Sequence, residues 1–177
     1  MSSAVKTPLE MFYHWEQETP DKVYLRQPQN LEWSEYTWKA VADRVRRIAS
    51  FLKSRNYPAG SRIAIWSSNS MDWPIVDLAI MLSGHISVPV YPGQDTGSAN
   101  YIFNHSEVKL VFAGDFDQWK NAGDALVPGM EKVAMLGCKI DTDTSLDEIY
   151  KEYEPFTDSP IPNGDDVFTI IYTSGTT

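Results

Sequence analysis

The residues with the clearest chemical potential form the run Thr173-Ser174-Gly175-Thr176-Thr177. Four of these five residues carry hydroxyl donors, and Gly175 permits backbone conformations in which neighbouring N–H groups converge. Converging N–H and hydroxyl donors bind phosphate oxygens. The run therefore predicts a phosphate-binding loop. The same composition is also typical of an ordinary polar loop, and the Gly-Lys-Ser/Thr of the Walker pattern is absent.

The other side chains capable of chemistry are scattered. Cys138 is the only cysteine and has no histidine near it in sequence, so we interpret it as a packed residue rather than a nucleophile. Asp141, Asp143 and Asp147 lack the Gly and the terminal Glu of a calcium-binding EF-hand, and we interpret them as a solvated acidic loop. The histidines occur singly, and we interpret them as packing or surface residues: His14, His85 and His105. No catalytic residue is predicted within this chain, and the metal ligands remain undefined.

Alternating strand and helix patterns precede the loop. A run rich in apolar and β-branched residues, 167–172, predicts a buried strand that leads directly into the loop. Repeated strand–helix–strand units of this length are normally parallel and right-handed, which predicts an α/β fold with a largely parallel sheet flanked by helices. The polar turn 67–70 would lie at the carboxyl end of a strand, where such folds bind ligands. Strands are predicted at 62–66, 86–91, 108–113 and 132–136, and helices at 71–84, 98–105, 116–126 and 145–153.

The first part of the chain follows a different pattern. Thr7-Pro8 is typical of a helix N-terminus, and the predicted helix runs to about Glu18. Two short alternating runs, 22–27 and 31–36, predict a hairpin. Thr37 then caps a second helix whose apolar residues keep to one face for four turns.

Composition and charge narrow the choice of partners and compartment. The formal net charge is −9 and the pI is about 4.7, which disfavours nonspecific binding to nucleic acid. No apolar stretch approaches the roughly 18 residues of a membrane span. A single cysteine cannot form an internal disulfide and fits a reducing compartment. These features predict a cytoplasmic protein and leave peripheral association with a membrane open.

Several motifs, in order, resemble the adenylate-forming (AMP-binding) superfamily. Tyr172 to Thr177 resembles the opening of its phosphate-loop signature, whose continuation Gly-x-Pro-Lys-Gly is not present here. The segment 60–65 with Asn69 and Trp73-Pro74 is similar to the region before the first crossover in acyl-CoA synthetases. Val88-Pro89-Val90-Tyr91-Pro92 and His105-Ser106-Glu107 resemble the branch that acts on long-chain fatty acids.

The resemblance implies that residues 1–177 are the N-terminal portion of an AMP-binding large domain, ending inside the phosphate-binding loop. It implies that the parent protein joins a long-chain fatty acid to ATP as an acyl-adenylate and transfers the acyl group to coenzyme A, with Mg²⁺ as cofactor. Thr173, Ser174, Gly175, Thr176 and Thr177 match the nucleotide-binding positions. The loop lysine, the acyl pocket and the C-terminal domain would follow Thr177, so this chain alone is predicted to be inactive.

Two alternatives remain open at this stage. One is a fatty acyl-AMP ligase, which makes the same adenylate and passes it to a carrier protein. The other is a non-catalytic α/β interaction module. In the family, the strand before the loop leads through the loop into a further strand. Because that further strand is not part of this sequence, we also expect a strand edge with unpaired N–H and C=O groups, which favours self-association.

Overall fold

A computed structural model describes residues 6–29, 31–117 and 119–173. The chain opens with helix α1 (Pro8–Glu18), whose first turn is closed by a capping box in which Glu10 N–H donates to Thr7 Oγ1 and Thr7 N–H donates to the Glu10 carboxylate. Strands β1 (Val23–Gln29) and β2 (Glu32–Thr37) pair antiparallel. Helix α2 (Trp38–Ser54) follows at once, capped by Thr37. The predicted helix, hairpin and capped second helix are therefore confirmed.

The central element is a five-stranded sheet in which every pairing is parallel. Its spatial order is β4-β3-β5-β6-β7, so the winding reverses direction between β3 and β5. The predicted α/β fold, with a parallel sheet flanked by helices, is confirmed. The strands are β3 (Arg62–Trp66), β4 (Ile86–Val90), β5 (Leu110–Ala113), β6 (Glu131–Ala134) and β7 (Thr144–Ser145). The connecting helices are α3 (Asp72–Leu82), α4 (Thr96–His105), α5 (Ala122–Ala125) and α6 (Leu146–Glu152).

The sheet separates two apolar cores. Because side chains alternate along a strand, Ile63 and Ile65 enter the core under α1, α2, α3 and α6, whereas Ala64 and Trp66 enter the core under α4 and α5. All four residues are completely buried. A sheet covered on both faces requires strands that are apolar throughout, which explains why β3 and β5 read as unbroken hydrophobic runs.

Two predicted elements differ from the structure. The helix expected over 116–126 is a 3₁₀ turn (Trp119–Asn121) followed by the single turn α5. Pro128-Gly129 prevents the helix from continuing, and the segment has too few apolar residues for a longer helix to pack against the core. The helix expected from Ser145 begins one residue later, and Ser145 instead ends the short strand β7 and caps α6.

The terminal strand prediction is also wrong in its extent. Over 165–173 the chain forms one isolated parallel bridge, Thr169 to Ser87 on β4, with Ser87 N–H donating to Phe168 O and Ile170 N–H donating to Ser87 O, both at 2.9 Å. Val167 and Ile171 are 59% and 67% exposed. The apolar run predicted burial on both faces, whereas the fold described here covers only the face carrying Ile170 and Tyr172.

Candidate functional site

The reversal of winding between β3 and β5 is where an open parallel sheet usually binds its ligand. Here the two loops that leave these strands pack directly against each other. A Cβ on Gly114 would lie 2.1 Å from Ser67 Oγ, so only glycine permits this approach. Gly114 N–H donates to Trp66 O at 3.0 Å, and Ser68 N–H donates to Asp115 O. The predicted polar turn 67–70 is at the carboxyl end of β3, as expected, but Ser67 is buried in this loop packing.

A cleft of about 500 Å³ lies instead where the terminal segment passes α4. Thr173, the first residue of the predicted phosphate-binding loop, lies on its wall and is exposed. Ser174, Gly175, Thr176 and Thr177 lie outside the described residues. The other lining residues come from the start of α4, the turn before it and the terminal segment: Gln94, Asp95, Gly97, Ser98, Tyr101, Ile102 and Tyr172.

The described wall of this cleft carries negative rather than positive charge. None of its described lining residues is Lys or Arg. The Asp95 carboxylate caps α4, accepting from Ser98 Oγ at 2.7 Å and from Ser98 N–H at 3.0 Å, and these hydrogen bonds hold the pKa of Asp95 below its usual range. A polyphosphate bound beside Thr173 would therefore need its positive counter-charge from groups other than these lining residues.

An aromatic cluster secures the residue that precedes Thr173. Tyr172 Oη lies 2.7 Å from Nδ1 of His105, the last residue of α4. The Tyr101 ring stacks on the His105 ring at 5.2 Å, and Tyr172 meets both rings edge-on. Sequence reasoning interpreted His105 as a packing or surface residue, because its partner is 67 positions away and no local pattern joins them.

A second cleft, of about 460 Å³, lies at the carboxyl end of β6. The Arg44 guanidinium lies 4.7 Å from the Tyr36 ring centroid and 5.0 Å from that of Tyr150. The buried Asp72 carboxylate accepts the Leu136 N–H at 2.9 Å, and burial raises the pKa of Asp72. The lining of this cleft includes two acidic residues, Asp72 and Asp147, and one basic residue, Arg44, and it shares no residue with the predicted phosphate-binding loop.

The remaining candidates behave as packed or surface groups. Cys138 is half-buried, its thiol donates to Ile140 O, and burial raises its pKa, which disfavours the thiolate that a nucleophile requires. Asp141, Asp143 and Asp147 are exposed. Within the described part of the chain, no group of three His, Cys, Asp or Glu side chains could hold a metal ion. The helices described here also fall short of the length and hydropathy needed to cross a bilayer.

The fold matches part of the fold of two solved enzymes. A benzoate CoA ligase from Burkholderia xenovorans LB400 superimposes with a TM-score of 0.77, at 16% identity, over 91% of this chain and 31% of that one. An acyl-CoA synthetase from Brucella canis gives a TM-score of 0.75 at 19% identity, over 91% of this chain and 30% of that one. At sequence identities this low, the structural similarity establishes a shared architecture and does not establish a shared substrate or activity.

Residues 12–177 match the AMP-binding enzyme family, and the chain belongs to it. A long-chain-fatty-acid–CoA ligase of Mycobacterium bovis is 26% identical over 173 residues, which cover 94% of this chain and 29% of the relative. Long chain acyl-CoA synthetase 1 of Arabidopsis thaliana is 28% identical over 159 residues, covering 79% of this chain and 23% of the relative. The chain therefore spans less than a third of the length of these relatives, and the resemblance found in the sequence is confirmed.

Proposed function

We propose that residues 1–177 form the N-terminal portion of the large domain of an ATP-dependent ligase that activates a long-chain fatty acid and transfers it to coenzyme A. The family match over 12–177 carries this proposal, because it includes the apolar segment and the hydroxylic run in their expected order. The relatives from Mycobacterium bovis and Arabidopsis thaliana support a long-chain acid as the substrate.

In this proposal the loop that begins at Thr173 holds the ATP phosphates. Hydroxyl and N–H donors over 173–177 would orient the nucleotide so that the fatty acid carboxylate attacks the α-phosphorus and pyrophosphate leaves. The thiol of coenzyme A would then attack the acyl carbonyl and release AMP. In these two steps, this chain would contribute hydrogen-bond donors that bind and orient the phosphates.

A Mg²⁺ ion is expected with ATP, held mainly by the phosphates and water with one or two carboxylates. The described residues include no group of three acidic, His or Cys side chains, and the carboxylate at the cleft, Asp95, already caps α4. We therefore assign the metal no ligand among them. The described lining of the cleft has no basic side chain either, which supports the proposal that the 177-residue chain alone does not form an acyl-adenylate.

Carboxylate-dependent exchange of pyrophosphate into ATP tests the proposal. It would be measured with a panel of fatty acids on the naturally encoded protein that contains this sequence, beside the 177-residue chain. We expect exchange with long-chain acids in the longer protein alone. Exchange by the 177-residue chain would contradict its proposed inactivity, and exchange only with short or aromatic acids would contradict the long-chain assignment.

Adding an acyl acceptor separates the ligase from its alternatives. Formation of an acyl-CoA thioester after exchange would support the CoA ligase. Exchange without thioester formation, followed by acylation of a carrier protein, would identify a fatty acyl-AMP ligase instead. A folded protein that shows no exchange with any acid would favour a non-catalytic interaction module.

A further inference from the structure

We infer that His105 is a positioning residue for the nucleotide loop, because its imidazole holds the Tyr172 hydroxyl and so fixes the place where the chain leaves the sheet at Thr173. The inference rests on the proposed function, since it assigns a role to a residue that supports the phosphate-binding loop. His105 does not line the cleft beside Thr173. Its effect on the nucleotide would pass through Tyr172.

The terminal segment has few backbone anchors near the loop. Its last described backbone hydrogen bond to the sheet is from Ile170 N–H to Ser87 O, at 2.9 Å. Among the described residues, no backbone hydrogen bond holds 171–173. The Tyr172 side chain is therefore the next polar tether along the chain, and it acts one residue before the first predicted phosphate donor, Thr173.

The partner of Tyr172 is held on a well-fixed element. Helix α4 buries Ala99, Ile102 and Phe103, and the Phe103 ring packs against Trp66 at 5.6 Å. Asp95 caps the other end of the helix. An imidazole at the end of such a helix is a stable reference point, since the helix cannot shift without disturbing the core under α4 and α5.

Stacking further restricts the imidazole. Tyr101 and His105 are one helical turn apart, so their side chains share a face of α4. Their rings stack with an interplanar angle of 24°, while Tyr172 stands at 88° to His105 and 89° to Tyr101. Stacking aligns Nδ1 with the Tyr172 hydroxyl at 2.7 Å. Two side chains at the surface of α4, Tyr101 and His105, thus contact Tyr172 together, and one of them hydrogen-bonds its hydroxyl.

Loss of the His105–Tyr172 hydrogen bond should weaken the binding of ATP and leave the binding of the other two substrates nearly unchanged. Without the His105–Tyr172 hydrogen bond, the loop would have more conformations to lose when it binds phosphates. One such bond corresponds to about a threefold to tenfold change in an equilibrium constant. We expect His105→Ala and Tyr172→Phe each to raise KM for ATP by that factor, while KM for the fatty acid and for coenzyme A changes by less than about twofold.

The experiment uses the naturally encoded full-length protein and measures adenylation and thioester formation separately. His105→Ala, Tyr172→Phe and the double variant form a cycle in which the double variant should resemble each single one, because both remove the same bond. His105→Asn, whose side-chain amide can occupy the position of the imidazole Nδ1, should restore part of the ATP affinity. His14→Ala on α1 and Tyr24→Phe on β1 serve as matched controls, because α1 and Tyr24 pack on the face of the sheet opposite α4.

The possible results separate the inference from the proposed function. An unchanged KM for ATP, an equal rise in KM for all three substrates, or additive effects in the double variant would overturn the positioning role while leaving the ligase assignment intact. Melting temperatures of the variants identify any general loss of folding. If the folded wild-type protein shows no exchange, the proposed function fails, and the role of His105 fails with it.

Discussion

The parallel sheet and the segment that leaves it for the loop are held together in different ways. In β3, residues 63–66 are completely buried between two layers of helices. In the terminal segment, 154–173, Ile161, Val167 and Ile171 are each more than half exposed, and a single bridge joins the segment to β4. The sheet owes its position to complete apolar burial, whereas the terminal segment combines individual polar contacts with only partial burial of Phe156, Ile170 and Tyr172.

Arg46 on α2 shows how such placement works. Its guanidinium donates to Phe156 O at 3.1 Å, to Asp158 O at 3.0 Å and to Ser159 Oγ at 3.0 Å, while its pair with Glu16 at 2.8 Å fixes the arginine itself. Tyr13 Oη adds a hydrogen bond to Pro160 O at 3.0 Å. The segment that leads to the loop can therefore be displaced by removing these contacts, while the buried sheet that supports it stays folded.

The largest loss of stability should follow from truncating a side chain in the buried sheet. Phe112 on β5 is completely buried, so Phe112→Ala should reduce the free energy of unfolding by about 3–5 kcal/mol, from lost apolar burial and the cavity left behind. Ile171→Ala, in the exposed part of the segment, should cost less than about 0.5 kcal/mol. Urea denaturation of both variants checks this contrast, and equal losses would show that the segment is as integral to the core as β5.

An intermediate loss of stability is expected when Arg46 is replaced by Ala. Its side chain is only 14% exposed and that of Glu16 23%, so Arg46→Ala should cost about 1–3 kcal/mol through the charged hydrogen bonds that it removes. Proteolysis should become faster specifically within 154–160. Arg26→Ala is the matched control, because the Arg26–Glu35 pair is 62% and 48% exposed and should contribute at most about 1 kcal/mol. Unchanged cleavage at 154–160 would mean that other contacts hold the segment.

Most of the architecture could be predicted from the sequence because burial leaves a local pattern. Alternation and helical periodicity located β3, α3, β4 and α2 to within a few residues, and Thr7 and Thr37 marked helix starts by their capping chemistry. Prediction failed where burial is one-sided or brief, as in the isolated bridge at Thr169 and the single turn of α5.

The candidate site was less predictable because its contacts are distant in sequence. Hydroxyl and glycine composition indicated the loop from Thr173, but nothing local marked His105 as the partner of Tyr172 or Gln94 as part of the same cleft. Nor did the sequence indicate that Gly114 would pack against Ser67 at the reversal of winding. Such juxtapositions follow from the strand order, which local patterns do not specify.

A loss of stability that appears only as the pH falls is expected at the boundary between the two regions. His85 is 5% exposed and lines a cleft of about 400 Å³ with Val167 and Phe168 of the terminal segment. Burial, and to a lesser extent the nearby charge of Lys53, lower the pKa of His85 from its ordinary value of 6.5. The Tyr57 ring, 6.3 Å away, covers the imidazole from another side.

The sign of the pH dependence follows from that lowered pKa. Below about pH 6.5 the unfolded chain protonates His85 while the folded chain resists, so the unfolded state binds more protons and stability falls as the pH falls. Relative to His85→Gln, the wild-type protein should lose stability between pH 7.5 and 5, by no more than about 1.4 kcal/mol per pH unit. His14→Gln is the control: His14 is a half-buried residue of α1, so this variant shows the effect of losing an imidazole at another position. Parallel stability curves for wild type and His85→Gln would mean that the imidazole is as well solvated in the folded chain as in the unfolded one, and that the terminal segment does not close over it.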